Sequence, residues 1–259
     1  MKRLGLVLGA GGSRGIAHIG FLKALEENDI KVYCISGCSM GALVGACYAG
    51  GMSALNMRQE IEKFKMRNII DIPLLPFRKG GIFRSKKFRN KISNTLPCKT
   101  FEDLEMPFSC VATDLLSKQT VTFSSGDLTN AVIASCTIPS LFRPLEFNNM
   151  LLVDGGVKCR MPIKQAKELG AEAIVALDVL GFEEKRGKKL STINLMLKVV
   201  DIVDEELTNI NRNSEKCDLY LEPNMFGLSQ YKLKDPISVY NVGYKLGFEN
   251  AEKIKKLLT

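Results

Sequence analysis

One serine of this chain lies in a setting that would make it a nucleophile: Ser39, in the pentapeptide Gly37-Cys38-Ser39-Met40-Gly41. An apolar run at 32–36 precedes it, and small residues at 42–49 follow it. The order predicts a strand, a sharp turn and a helix, with glycines where the turn leaves no room for side chains. The serine would be exposed at the helix start, where the positive end of the helix dipole favours developing negative charge. This is the pattern of a nucleophile elbow.

The general base is less obvious from the residues. A hydrolytic serine normally works with a histidine, and the chain has only His18, which precedes the serine. The order in α/β-hydrolases is serine, acid, histidine, so either His18 acts in an unusual order or the base is another residue. Asp154, in Asp154-Gly155-Gly156, ends an apolar run at 151–153. Sites of parallel sheets collect at the carboxyl ends of strands, although an Asp-Gly pair is also an ordinary turn.

A glycine-rich loop at 9–15 follows the apolar run at 4–8 and precedes helical spacing at 16–28. Free backbone N–H groups in such a loop can hold an anion. The loop fails the dinucleotide pattern G-x-G-x-x-G by one residue, and it lacks the Lys-Ser or Lys-Thr of a P-loop. A plain tight turn is the alternative, but the serine elbow downstream favours an oxyanion hole.

Strands and helices alternate along the chain, which predicts a three-layer α/β/α sandwich with a central, mainly parallel sheet. Its 259 residues suit a single α/β domain, 1–259. Residues 173–179 are predicted to form a strand in which buried and exposed side chains alternate. The other predicted strands are 4–8, 32–36, 107–114, 119–123, 151–153 and 219–221, and the predicted helices are 16–28, 42–49, 54–66, 130–136, 163–169, 193–211 and 239–258.

Composition restricts the setting of the protein. The 8 cysteines form no C-x-x-C pair and many lie in apolar runs, which predicts buried free thiols in a reducing compartment. We find no signal peptide pattern and no apolar run of membrane-spanning length, so we expect a cytoplasmic protein. The net charge of +8 predicts an anionic partner, either a membrane surface or a nucleic acid. Few aromatic residues interleave with the cations, which argues against nucleic acid.

The positive charge is concentrated in the segment 67–100. An apolar stretch at 69–77, broken by prolines, is followed by cations, and no acidic residue lies between Asp71 and Glu102. One interpretation is a solvated, partly helical face. The other is a lid or a peripheral contact with anionic lipid at the inner face of a membrane. The cations are Arg78, Lys79, Arg84, Lys86, Lys87, Arg89, Lys91 and Lys99.

Taken together, the three motifs resemble those of the patatin-like phospholipase family. Residues 11–15, Gly-Gly-Ser-Arg-Gly, are similar to its G-G-x-R-G loop, 37–41 to its G-x-S-x-G, and 154–156 to its D-G-[GA]. Segments 14–20 and 134–139, with Phe142 and Pro144, resemble bacterial members. The resemblance covers residues 3–180. Two positions depart from it: Ala10 stands where the loop usually begins with glycine, and Cys159-Arg160-Met161-Pro162 lacks the asparagine common before the proline.

The resemblance implies a serine–aspartate dyad without histidine. Ser39 would be the nucleophile and Asp154 the general base, which partial burial would make more basic. The amides of Gly11 and Gly12 would hold the oxyanion, helped by Arg14, and His18 would be a packing or hydrogen-bonding residue. No metal and no organic cofactor is implied. The glycines expected to support the motifs are Gly15, Gly37, Gly41, Gly155 and Gly156.

The implied activity is hydrolysis of lipid esters, phospholipid or lysophospholipid, through an acyl-enzyme. Two alternatives remain open at this point. The same site could carry out acyl transfer or thioester hydrolysis on acyl-CoA or acyl-carrier substrates. The protein could also be a lipid-sensing regulator with little turnover.

Overall fold

The computed structural model describes residues 1–62, 81–83, 85–180, 216–225, 227, 228, 230 and 235–259. It also describes six separate helical positions: 195, 199, 202, 203, 206 and 209. The apolar stretch 69–77 and the cations Arg78, Lys79 and Arg84 lie outside the described residues. The same holds for most of the predicted helix 193–211 and for the end of the helix predicted at 54–66.

An eight-stranded sheet forms the centre of the described structure. Its strands are β1 (Leu4–Leu8), β2 (Cys34–Cys38), β4 (Phe108–Asp114), β5 (Gln119–Phe123), β7 (Leu145–Phe147), β8 (Met150–Asp154), β9 (Ala173–Leu177) and β10 (Leu219–Leu221). Two further strands, β3 (Gly81–Phe83) and β6 (Ser140–Phe142), pair with each other.

The strand order β10-β9-β1-β2-β4-β8-β7 confirms a mainly parallel sheet. The run from β10 to β4 is parallel throughout. β5 and β8 pair with β4 in the antiparallel sense, and β7 pairs with β8 likewise. The carboxyl ends of the five parallel strands therefore lie at one edge, where the predicted site loops follow β1 and β2.

Helices cover both faces of this sheet. They are α1 (Ile16–Glu27), α2 (Met40–Ala49), α3 (Ala54–Glu62), α4 (Ser85–Thr95), α5 (Leu128–Ser135), α6 (Ile163–Glu168) and α7 (Pro236–Leu258). On one face Leu4, Leu6 and Leu8 of β1 pack in a core with side chains of α1, α2, α5 and α7. On the other face Val7 packs with Ile163 of α6. The predicted three-layer α/β/α fold is thus confirmed.

The predicted alternation of burial along β9 is wrong. All five residues of Ala173–Leu177 are buried, because layers on both sides of the sheet cover both sets of side chains. The long α7 is the longest described helix, and no described helix is both long and apolar enough to cross a bilayer.

The sequence analysis missed the short elements between residues 81 and 147. Strands of three residues, such as β3, β6 and β7, are too short to show a period. Helix α4 occupies residues 85–95 of the cationic segment. Phe88 of this helix stacks on Phe142 with ring centroids 4.1 Å apart, while Lys86 and Lys87 are exposed. The helix is therefore amphipathic, with cations on its outer face.

Helices α1 and α7 approach each other closely through glycines. A Cβ atom at Gly243 of α7 would lie 1.9 Å from the carbonyl oxygen of Ala17, which no side chain tolerates. Gly20 of α1 is restricted in the same way, since its Cβ would lie 2.0 Å from the carbonyl oxygen of Tyr240. Because α1 follows the glycine loop directly, this contact also fixes the helix on which the loop ends.

We predict that Gly243→Val lowers the free energy of unfolding by about 2–3 kcal/mol, because the added side chain forces the helices apart. Valine has a better intrinsic helix propensity than glycine, so propensity alone predicts the opposite sign. Asn241→Val, at an exposed position of the same helix, is the matched control and should change stability by less than about 0.5 kcal/mol. Urea denaturation followed by circular dichroism measures both, and equal stabilities would contradict the predicted close contact.

Candidate active site

The site lies where two strands meet end to end along one edge of β4. β5 pairs with residues 110–114 of β4, so it occupies one edge. β2 pairs with residues 108–111 and β8 with 112–114, so both must lie on the opposite edge. β2 ends with Cys38 opposite Val111, and β8, which runs the other way, ends with Asp154 opposite Ala112. The residues that follow these strand ends therefore converge on one point.

Ser39 occupies the sharp turn between β2 and α2 that the sequence predicts. Its backbone angles are φ 54° and ψ −123°, a strained conformation for a residue with a side chain. The turn is tight enough to require the glycine at 41, because a Cβ there would lie 2.0 Å from the carbonyl oxygen of Leu8. Ser39 also caps α2, and its carbonyl oxygen accepts from the N–H groups of Ala42 and Leu43.

The structure brings Ser39 and Asp154 into direct contact. The Ser39 Oγ–H donates to Asp154 Oδ2 at 2.6 Å, and both residues are 6% exposed. The other carboxylate oxygen, Oδ1, accepts from the N–H of Gly156 at 2.8 Å and lies 3.8 Å from Cys38 Sγ. These bonds orient the carboxylate so that one oxygen faces the serine hydroxyl.

The pKa of Asp154 is raised to about 6, chiefly because burial disfavours the charged carboxylate. The hydrogen bonds from Ser39, Gly156 and Cys38 act in the opposite direction and limit the rise. A carboxyl group with this pKa is still ionised at neutral pH, and it is more basic than an ordinary aspartate. It can therefore accept a proton from the hydroxyl at 2.6 Å.

Two side chains that follow one another hold the main chain of Ser39, and the sequence analysis assigned them no role. Ser135, the last residue of α5, accepts from the N–H of Ser39 at 2.9 Å. The thiol of Cys136 donates to the carbonyl oxygen of Ser39 at 3.0 Å. Burial raises the pKa of Cys136 well above its ordinary value, so the thiol keeps its proton and acts as the donor. The segment 134–139 had signalled a family likeness, but not this contact.

The end of the same segment also positions the aspartate. The N–H of Asp154 donates to the carbonyl oxygen of Thr137 at 2.8 Å. Ser135, Cys136 and Thr137 thus contact the backbone of both dyad residues. This short stretch links the two strand ends through hydrogen bonds that do not depend on the sheet.

The glycine loop presents backbone donors without partners. Residues Gly12–Gly15 form a single 3-10 turn between β1 and α1, and Gly12 has a positive φ of 52°. The N–H groups of Gly11 and Gly12 have no acceptor among the residues that the structure describes, although Gly11 is buried. By contrast, the neighbouring N–H of Ser13 donates to the carbonyl oxygen of Gln230 at 2.8 Å. Unpartnered amides in a buried loop are a suitable anion site.

Arg14 is 2% exposed, and its guanidinium reaches two main-chain carbonyl oxygens outside the loop. Its Nε donates to Leu228 at 2.7 Å, and its Nη1 donates to Leu180. These bonds attach the loop to the segments after β9 and β10. The arginine of the predicted oxyanion motif therefore braces the loop from within the fold.

His18 contacts the glycine loop and has no contact with the serine or the aspartate. Its Nε2 lies 2.8 Å from the carbonyl oxygen of Gly9, and the ring is fully buried. Burial lowers the pKa of His18 to about 4, so the ring is neutral at pH 7. A neutral ring facing a carbonyl oxygen carries its proton on Nε2 and donates it. The structure thus shows a hydrogen bond for His18, and its non-catalytic role stays a prediction.

A buried ion pair also supports the loop. The guanidinium of Arg160 contacts the carboxylate of Asp178, which also accepts from the hydroxyl of Tyr220 at 2.7 Å. The carbonyl oxygen of Arg160 accepts from the N–H of Ala10 at 3.2 Å. Sequence analysis named Arg160 only as a departure from the family pattern. Asp178 follows β9 directly, and its position at a strand end is the signal that could have identified it.

Comparison with known proteins shows which family the chain resembles. The family model for patatin-like phospholipase matches residues 6–167 of the chain. Patatin-like phospholipase domain-containing protein 6 of Mus musculus is 30% identical over 99% of the chain, and lysophospholipase nte1 of Aspergillus fumigatus is 30% identical over 98%. An uncharacterized NTE family protein of Mycobacterium tuberculosis is 34% identical over 70% of the chain.

These relatives are longer than the chain. It spans 50% of the mycobacterial protein, 21% of the mouse protein and 18% of the Aspergillus protein. Among solved structures, VipD from Legionella pneumophila covers 99% of the chain with a TM-score of 0.68 at 14% identity, and the chain covers 67% of VipD. At that identity the likeness concerns the fold alone.

We predict that Ser135→Ala slows the reaction of Ser39 with a fluorophosphonate probe by roughly tenfold. The change leaves the N–H of Ser39 without its acceptor, and an unsatisfied buried donor costs about 1–3 kcal/mol. The strained turn can relax to relieve this cost, which moves Ser39 out of its reactive position. Ser135→Thr keeps the hydroxyl and should restore most of the rate. Stopped labelling assays measured by intact-mass spectrometry give the rate constants.

The matched control for this prediction is Ser109→Ala. The change removes the buried hydroxyl of Ser109 on β4, which donates to the hydroxyl of Ser36 on β2 at 3.0 Å. This hydroxyl has no bond to Ser39. If both serine variants label at the same reduced rate, the effect of Ser135 is general destabilisation and the elbow contact has no separate role.

Proposed function

Because the chain belongs to the patatin-like phospholipase family, we propose that it hydrolyses acyl esters of phospholipids or lysophospholipids. The observation that carries the proposal is the 2.6 Å hydrogen bond from the Ser39 hydroxyl to a buried carboxylate, in a chain whose single histidine binds elsewhere. The names of the mouse and Aspergillus relatives support lipid esters as the substrate class.

In the first step Ser39 Oγ attacks the ester carbonyl carbon as Asp154 Oδ2 takes the hydroxyl proton. The carbonyl oxygen becomes an oxyanion, for which the amides of Gly11 and Gly12 are the available donors. Arg14 helps by holding that loop in place. When the tetrahedral intermediate collapses, the alcohol leaves with the proton from Asp154, and the acyl group stays on Ser39.

In the second step a water molecule attacks the acyl carbonyl carbon. Asp154 takes one proton from this water, and the same two amides hold the second oxyanion. Collapse breaks the bond to Ser39 Oγ, which recovers the proton from Asp154. The products are a free fatty acid and the starting enzyme, so no cofactor takes part in the balance of atoms and electrons.

The proposal includes the cellular setting of this chemistry. We propose a cytoplasmic enzyme that binds peripherally to the inner face of an anionic membrane. The net charge of +8 favours such binding. All 8 cysteines are free thiols, which suits a reducing compartment. Lys86 and Lys87 of α4 are exposed, described cations of the segment 67–100, and in this proposal they contact head groups.

The deciding experiment combines active-site labelling with a substrate panel. A fluorophosphonate probe should label the protein stoichiometrically at Ser39, and Ser39→Ala should not react. The panel contains p-nitrophenyl esters, lysophospholipids, phospholipids and acyl-CoAs, with Ser39→Ala as the blank. If acyl-CoA is turned over faster than the oxygen esters, the protein is a thioesterase or an acyltransferase and not an ester hydrolase. A folded protein that neither labels nor turns over any substrate would refute the proposed function.

We predict that Asp154→Asn is as inactive as Ser39→Ala, and that the double variant is scarcely worse than either, because the two residues act as one unit.

His18→Gln should keep most of the kcat/KM for a soluble ester. In a histidine-dependent mechanism the same change would cost on the order of 10⁴-fold. Circular dichroism controls for folding, and a well-folded His18→Gln protein as inactive as Ser39→Ala would exclude the dyad.

We predict that kcat/KM rises with pH along a single ionisation with a midpoint of about 6, the raised pKa of Asp154. The sign follows from the role of the carboxylate: the base works only when deprotonated, so activity is lost as the pH falls below the midpoint. An ordinary histidine would titrate in nearly the same range. The profile is therefore measured again in His18→Gln, where the midpoint should not move. If the ionisation near pH 6 disappears in His18→Gln, it belongs to His18 and not to Asp154.

A further inference from the structure

The turn between β4 and β5, residues 115–118, exposes two apolar side chains at the end of a hairpin. It carries Leu115, 43% exposed, and Leu116, 64% exposed, side by side at the tip of a hairpin. Isolated exposed leucines are common on protein surfaces, but an adjacent pair on a projecting tip is a concentrated apolar feature. We call this element the 115–118 turn.

The 115–118 turn projects from the edge of the sheet that holds the active site. It continues β4 beyond Asp114, whereas the dyad lies at the level of Val111 and Ala112, the partners of Cys38 and Asp154. At about 3.3 Å per residue, the tip extends roughly 10 Å past the dyad in the direction of the carboxyl ends of the parallel strands. The leucines are thus on the side from which the glycine loop and the elbow are approached.

The tip is held rigidly. The buried carboxylate of Asp114 accepts from the N–H groups of Leu116 at 3.2 Å, Ser117 at 3.0 Å and Leu151 at 3.0 Å. The hydrogen bonds lower the pKa of Asp114 to about 2, that from Ser117 most of all, so the carboxylate stays charged. Leu115 also donates from its N–H to the carbonyl oxygen of Leu151 at 2.9 Å. The main chain of the tip therefore cannot fold back onto the protein without breaking this network.

Two exposed lysines accompany the apolar tip. Lys118 belongs to the turn, and Lys158 donates from its Nζ to the carbonyl oxygen of Lys118 at 2.8 Å. Lys158 directly follows the turn Gly155–Val157 that begins at the catalytic aspartate, so the hairpin tip is linked to the site itself. Residues 115–119 contain no acidic side chain. The patch combines protruding leucines with two exposed cations.

We propose that the 115–118 turn inserts Leu115 and Leu116 into the surface of a lipid bilayer that contains anionic head groups. The apolar side chains suit the acyl boundary of the bilayer, and Lys118 and Lys158 suit the phosphates above it. The inference rests on the proposed function, because a lipid substrate must pass from a bilayer to Ser39. Insertion at this edge would bring the dyad to within roughly 10 Å of the lipid, so an ester group needs little withdrawal from the membrane.

The test measures binding and catalysis separately. Binding is measured in the Ser39→Ala background by co-sedimentation with vesicles of phosphatidylcholine alone or mixed with phosphatidylglycerol. Leu115→Ser with Leu116→Ser should weaken binding to the mixed vesicles by roughly tenfold or more, since two leucines lose their burial in lipid. Lys118→Gln with Lys158→Gln should remove much of the preference for the anionic vesicles and of the salt dependence. Phe248→Ser, at a side chain of α7 that is 61% exposed, is the matched control and should bind normally.

Catalysis is then measured with Ser39 present. The leucine variant should hydrolyse a soluble monomeric ester within about twofold of the original rate and lose roughly tenfold on vesicles. Unchanged vesicle binding of that variant, or an equal loss in Phe248→Ser, would overturn the inference. Turnover of soluble esters without any vesicle binding would also overturn it while leaving the proposed function intact. Vesicle binding that depends on the two leucines in a protein without esterase activity would refute the function alone.

Discussion

The rest of the site depends on the junction of β2 and β8 along one edge of β4. Two strands of opposite direction share that edge, and each ends where the other ends, at Val111 and Ala112. A nucleophile after one strand and a base at the end of the other are then neighbours, and the 2.6 Å bond between them follows from register. Displacement of either strand by one residue would turn its side chains to the other face and separate the pair.

A strained nucleophile needs a surrounding structure that holds it. Ser39 has a positive φ of 54°, which costs of order 1–3 kcal/mol and persists only where neighbours determine it. The neighbours here are of two kinds. The backbone at Gly41 packs closely against the carbonyl oxygen of Leu8, which holds the turn in place. The side chains of Ser135 and Cys136 hydrogen-bond to the N–H and the carbonyl oxygen of Ser39. The reactive hydroxyl is thus left with Asp154 as its partner.

The sequence predicted those features that local patterns determine. Glycine spacing and apolar runs placed β1, β2 and the elbow, because tight turns and buried strands have strong local requirements. The direction of β8 was not predictable: it depends on pairing with β4 and β7, and β7 is too short to show a pattern. Asp154 was expected at the carboxyl end of a parallel strand, yet β8 is antiparallel to β4. The contact of Ser135 with Ser39 spans 96 residues and depends on where α5 ends, which only the tertiary structure determines.

The proposed dyad has no histidine, and this places a particular demand on the burial of Asp154. An exposed aspartate is too weak a base to take a proton from serine, whereas a completely desolvated one would be protonated at neutral pH. The structure lies between these limits, because burial raises the pKa of Asp154 while Gly156, Cys38 and Ser39 itself stabilise the charge. In the proposed mechanism one of these donors, the serine hydroxyl, gives up its proton and is then acylated. Asp154 would lose that hydrogen bond in the acyl-enzyme and would become more basic, at the stage when it must accept a proton from water.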